Sequence, residues 1–226
     1  PAQNLTEVQL VKHEWDRLLA KGLDTTLGAV ARQQIMTGSE EIQPEAPMQE
    51  YTDWVCGAMD RLDARTSDPK EKYEVLSGCA HVFSDHRIAH LRDVYQARGE
   101  VDDVLREMYR DPDWYEDPVR QGNVLHMRKV PFDPESYEAA TTAAERRRAY
   151  CHCPFVEPYL DQVPSPMSPT FCWCGSGWYR RLWEGILCEP VAIEQVNTLL
   201  RGNDHCALTI TLPLALEGQM APGLAG

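Results

Sequence analysis

Six of the eight cysteines in this chain fall between Cys151 and Cys206, and no other feature constrains its C-terminal third as much. Four of them form two C-x-C pairs, Cys151-His152-Cys153 and Cys172-Trp173-Cys174. Cys188 follows, and Cys206 closes the segment Arg201-Gly202-Asn203-Asp204-His205-Cys206. Thiols at this density mean a soft-metal site, redox chemistry or a disulfide framework. The two sulfurs of one C-x-C are badly placed to bridge each other, because the chain between them is too short for relaxed disulfide geometry. The start, Pro1-Ala2-Gln3-Asn4, has neither the charged nor the apolar region of a secretory signal. The expected compartment is therefore the cytoplasm, where thiols stay reduced. Metal or reactive thiol is favoured over staple.

Composition narrows the partners. With 35 acidic against 22 basic residues and a net charge of -13, the chain lacks the basic face that nucleic acid or an anionic membrane demands. The one basic run, Arg146-Arg147-Arg148, follows an alanine-rich segment and reads as the complement of a helix C-terminus. No apolar stretch approaches the ~20 residues of a membrane span. The expected partner is a small-molecule ligand or substrate, with no nucleic acid, no membrane, and homodimer formation left open.

The pattern along the chain predicts an α+β fold with a helical first half. Leu5, Val8, Val11, Trp15, Leu18 and Leu19 repeat at a helical period behind a capping-box pattern at Thr6 to Gln9. Further helices are expected over about 25–36, around Tyr51 to Leu62, from Asp68-Pro69, over Asp85 to Arg98 and over Val101 to Tyr109. Residues 111–123 read as a loop and Val124 to Val130 as a strand. Asp133-Pro134 opens a helix expected to run to about Arg148. Residues 153–169 read as a long proline-rich loop or lid. A helix over Ser176 to Leu187 and two strands, 191–196 and 207–212, joined by a turn at Arg201 to Asp204, complete the pattern. This gives an N-terminal extension over 1–67, a main domain over 68–213 and a tail over 214–226.

Three constellations carry chemistry. The metal candidates are Cys151, Cys153, Cys174 and Cys206, with His152, Cys172 and Glu194 in reserve. Zinc is the first expectation, since it takes four N or S ligands, and an iron–sulfur cluster is the alternative. Cys79 and His81 form the second, a thiol with a nearby imidazole to activate it. His86 and His90 share a helix face without the glutamate of a metalloprotease motif and read as solvated. Cys56 and Cys188, beside Val55 and Leu187, read as core.

The final helix and hairpin resemble a known pattern through Cys174, Gly177, Pro190, Val191, Ile193, Glu194, Gly202, Asn203, Cys206, Leu208 and Ile210. These residues look like the C-terminal half of the 4-vinyl-reductase, or hydrocarbon-binding, domain. With Gly78-Cys79 and both C-x-C pairs, the chain resembles a bacterial group related to aminothiazoline-carboxylate hydrolase-like proteins. The likeness covers about 146–213 well, 78–110 loosely and the first 70 residues not at all. It implies a hydrocarbon-binding-type domain enclosing an apolar cavity, to which Phe155, Trp173, Trp178, Tyr179, Trp183 and Glu194 would contribute, together with Tyr159 and Phe171. It also implies a functional cysteine near Cys79. In phenol-sensing members of that superfamily cysteines and a glutamate near this hairpin hold a structural zinc. Glu194 and Cys206 match, but Thr198 stands where a further cysteine belongs, so any metal here must recruit the C-x-C thiols.

The expected function is binding of a small hydrophobic or aromatic molecule in a pocket organised by a cysteine-ligated metal. The alternatives are a hydrolase acting on a carbon–nitrogen or carbon–sulfur bond through Cys79 or a metal-bound water, and a redox protein cycling its C-x-C thiols.

Overall fold

The computed structural model describes residues 7–43, 45–79, 85–111, 116 and 118–213, except for the side chains of 7–11, 13 and 79. Six helices come first: α1 (Glu7–Thr26), α2 (Ala29–Ile35), α3 (Met48–Arg65), α4 (Pro69–Leu76), α5 (Asp85–Arg98) and α6 (Val101–Arg110). Strands β1 (Val119–Gln121) and β2 (Val124–Arg128) follow, then α7 (Pro134–Ala139) and α8 (Ala143–Tyr150). The long helix α9 (Trp173–Leu187) leads to β3 (Ala192–Asn197) and β4 (Ala207–Thr211). The result is the expected α+β architecture, with one antiparallel four-stranded sheet in the order β1-β2-β4-β3.

Local chemistry explains where the elements start and stop. Asp68 caps α4 by accepting from the Lys70 amide at 2.8 Å, with Pro69 at the first helical position. The helix expected over 25–36 is divided, because α1 runs on to Thr26 and Gly28 breaks the path at φ 83°. The helix expected over 134–148 is likewise two. Thr142 and Glu145 form a full capping box that starts α8 afresh. Strand β1 lies inside the segment read as a loop, held by Val119 pairing with His126 and Gln121 with Val124. Helix α9 begins one turn earlier than its apolar periodicity indicates, at Trp173. The proline-rich segment contains a short 3-10 turn at Glu157–Tyr159 and ends in another at Pro169–Cys172. The expected tail over 214–226 lies outside the described residues.

The N-terminal helices belong to the same core as the sheet and α9. Trp15 of α1 meets Phe155 and Phe171 at ring-centroid distances of 6.0 and 5.7 Å, and Phe155 meets Tyr51 of α3 at 5.4 Å. Such aromatic contacts are worth about 0.5–1.5 kcal/mol each beyond simple burial. Asp63 of α3 anchors the end of the proline-rich segment. It accepts from Ser168 Oγ, from Thr170 Oγ1 at 2.6 Å, and pairs with Lys72 at 2.5 Å. Burial alone would raise this carboxyl's pKa, but those three partners together hold it below its ordinary value. These contacts join residues on either side of the division drawn at residue 67.

Helix α1 crosses α4 with almost no space between backbones. A Cβ added at Gly22 would stand 2.2 Å from the Val75 carbonyl oxygen. Gly22→Ala should therefore destabilise the protein by about 1–3 kcal/mol despite alanine's better helix propensity. A urea-denaturation midpoint equal to or above wild type would contradict this packing.

A thiol-lined cavity between the sheet and helix α9

Strand alternation decides which residues reach the cavity. On the covered face of the sheet, Ile210 of β4 pairs with Leu125 of β2 and Ile193 of β3, and Leu208 pairs with Met127 and Gln195. These positions recur every second residue, so the next on β2 is Lys129 and the next on β4 is Cys206. The Lys129 amide donates to the Cys206 carbonyl at 3.0 Å. Where the apolar rows end, a cavity of about 450 Å3 opens. Its wall is completed by Cys174, Gly175, Ser176, Trp178 and Tyr179 in the first turns of α9, by Tyr150 at the end of α8 and Cys151 to Cys153 after it, and by Phe171 and Cys172.

Five thiols stand on this wall: Cys151, Cys153, Cys172, Cys174 and Cys206. All four expected metal-binding cysteines are there, and Cys172, held in reserve, joins them. His152, also held in reserve, lines the cavity too, with its Nε2 2.8 Å from the Val130 carbonyl. Glu194 is exposed, because its neighbours Ile193 and Gln195 take the covered side of β3. Of the expected aromatics, Trp178, Tyr179 and Phe171 line the cavity. Phe155 and Trp183 are fully buried in the core, Trp173 packs on Tyr73 at 5.6 Å, and the Tyr159 hydroxyl donates to Asp53 at 2.5 Å. Trp173 and Trp183 lie on α9, while Phe155 and Tyr159 belong to the proline-rich segment. Cys188, expected in the core, is exposed as the C-cap of α9 at φ 57°, and Cys56 is partly buried. The Cys79 side chain and His81 lie outside the described residues. His90 Nε2 sits 3.1 Å from Glu107 at the surface.

Sequence reasoning missed the cavity's polar groups. The Tyr179 hydroxyl donates to Glu116, with its oxygen 2.6 and 2.8 Å from the two carboxylate oxygens. Lys129 Nζ lies 5.3 Å from the centroid of the Tyr179 ring. The Tyr150 hydroxyl donates to the Lys129 carbonyl and accepts from the Cys206 amide at 3.2 Å. Gln195 Nε2 donates to Ser176 Oγ at 3.2 Å, while its buried Oε1 meets no donor among the described residues. Only period-2 counting from Met127 could have found Lys129. Nothing in the sequence pointed to Glu116.

Burial dominates the electrostatics. It pushes the Cys151 and Cys153 thiols up to about 12, reinforced by repulsion from Cys153 and Cys174 respectively. Cys174 rises to about 11, held back by the nearby Trp15 indole. Cys172 and Cys206 are raised for the same first reason. Burial also raises Glu116, against the pull of Tyr179 and Lys129. Without a metal these thiols are neutral at physiological pH. Among the described residues no three Cys, His, Asp or Glu side chains stand together as a formed metal site. The donor set nonetheless suits a soft ion. A closed zinc site, with Zn–S near 2.3 Å, would need the sulfurs drawn in to about 4 Å of one another.

No protein-family model, no curated protein and no solved structure matches this chain. Among the described residues no helix is long and apolar enough to cross a membrane.

The raised thiols fix the sign of a pH effect. A thiol whose folded pKa exceeds its ordinary value of 9.0 keeps its proton in the folded state while the unfolded state loses it. That contribution is intact below about pH 9 and is lost progressively as pH rises toward about 12. The denaturant midpoint of metal-free protein should fall across this window, and less steeply in the Cys151→Ser/Cys153→Ser double variant. Identical slopes in the two proteins would contradict the burial of these thiols.

Proposed function

We propose that this chain binds a small, largely apolar molecule in the cavity between α9 and the sheet, beside a thiolate-held soft metal. The observation that carries the reading is one cavity of about 450 Å3 whose wall holds five thiols and the aromatic side chains Phe171, Trp178 and Tyr179. The volume falls in the range of small-molecule sites, which are apolar with a few placed polar groups. Tyr179, Lys129, Glu116, Ser176 and Gln195 supply those groups here.

The metal part of the reading rests on donor chemistry. Cys151, Cys153, Cys174 and Cys206 would hold zinc, with Cys172 as a fifth thiol and an iron–sulfur cluster as the alternative occupant. A bound soft cation favours the thiolate and so overcomes the burial that keeps these thiols protonated. Cys172 and Cys174 sit at the N-terminus of α9, where the helix dipole also favours negative charge. Such a centre would join the segment after α8, the start of α9 and the start of β4, which together enclose the ligand.

Gly175 offers a clean test, because it lines the cavity and an added Cβ there would meet nothing within 4 Å. Gly175→Phe should fill the space without unfolding the chain, since it also replaces a helical glycine. Titration with the neutral fluorophore N-phenyl-1-naphthylamine should show saturable binding to wild type and at least about tenfold weaker binding to Gly175→Phe. Equal affinities in two folded proteins would sink the cavity as the binding site.

A further inference from the structure

We infer that the ligand of this cavity carries a negative charge, which it sets against Lys129; the inference rests on the small-molecule reading of the same cavity. Three charged side chains reach the wall: Arg87, Glu116 and Lys129. Arg87 is engaged by Asp111, its Nε 3.0 Å from the carboxylate. Glu116 receives the Tyr179 hydroxyl across both oxygens. Lys129 differs from both. Among the described residues no carboxylate lies within 4.0 Å of its Nζ, and its one charge-directed contact is the face of the Tyr179 ring at 5.3 Å.

The geometry keeps Lys129 in this position. Its amide is bonded to the Cys206 carbonyl and its own carbonyl to the Tyr150 hydroxyl, so the side chain is fixed on the covered side of the sheet. The ammonium has three donors and no acceptor. Glu116 acts on this ammonium only through space, so its donors are best satisfied by a charge-assisted hydrogen bond to a ligand anion. Glu116, at the hydroxyl edge of the ring whose face Lys129 covers, disfavours a second anion on its own side and so orients the ligand. The matching chemistry is a compact aromatic or apolar body bearing one acidic group, such as a sulfonate, carboxylate or phenolate.

Two fluorophores with the same aromatic body separate this inference from the reading it rests on. 1-Anilinonaphthalene-8-sulfonate carries the charge, and N-phenyl-1-naphthylamine lacks it. In wild-type protein the sulfonate should bind at least about tenfold more tightly than the neutral compound. That ratio should collapse toward unity in Lys129→Met and persist in Lys129→Arg, with neutral-probe binding reporting that the cavity of each variant is intact. A neutral probe that binds while the ratio is near unity in all three proteins overturns the inference and assigns Lys129 to the thiols alone. Failure of both probes to bind in a manner sensitive to Gly175→Phe overturns the small-molecule reading, and the charge inference with it.

Discussion

The Tyr150 hydroxyl holds the site together. From the last turn of α8 it donates to the Lys129 carbonyl and accepts from the Cys206 amide, so one buried group closes the ends of β2 and β4. The chain leaves α8 immediately after it, which delivers Cys151 and Cys153 to the wall that already carries Cys206. Losing that hydroxyl would leave two buried backbone groups without partners, a cost of about 1–3 kcal/mol for each. Arg147 strengthens the same junction by donating to the Leu199 carbonyl at 2.7 Å. The cavity is thus a consequence of how α8 is fastened to the sheet, and α9 serves as its roof.

That arrangement sets up a competition between burial and charge. Five thiols share a wall where ionisation is penalised, first by desolvation and then by mutual repulsion. A cation is the natural resolution, and the two available kinds act differently. A soft metal bonds the sulfurs directly, whereas Lys129 acts only through space and retains hydrogen-bond donors for something else. The proposed ligand anion and the proposed metal therefore draw on different parts of the same wall. Cys151, His152 and Cys153 also line an outer groove that reaches Phe132, Arg148 and Glu157. This strip of chain separates the interior from solvent and would be fixed by metal binding.

The α+β class and most helices were legible in the sequence, because caps and apolar periods are local signals. Asp68 with Pro69, and the positions of α5 and α6, required nothing beyond their own segments. Breaks set by a single residue's backbone were harder to see: Gly28 splits one expected helix and Thr142 another. The thiol wall was largely legible as well, since spacing singled out both C-x-C pairs and the resembling hairpin motif pointed to Cys206. What spacing could not show is the side of an element that faces the cavity. Glu194 lay in the resembling motif, yet strand alternation turns it to solvent. Phe155 and Trp173 satisfied loop and helix patterns, yet the N-terminal helices claim them, and Trp183 is buried in the core. Lys129 and Glu116 matter only through tertiary placement and left no local trace.

The proposed metal would draw the C-x-C thiols and Cys206 onto one soft ion. Titrating metal-free protein with cadmium, and following the ultraviolet sulfur-to-metal charge-transfer absorbance, tests it most directly. The account predicts saturation near one ion per chain with an intensity of three or four thiolates. The signal should drop with Cys151→Ser, Cys153→Ser, Cys174→Ser or Cys206→Ser and stay unchanged with Cys56→Ser or Cys188→Ser. Absence of the band, or a band indifferent to the cavity substitutions, would contradict it.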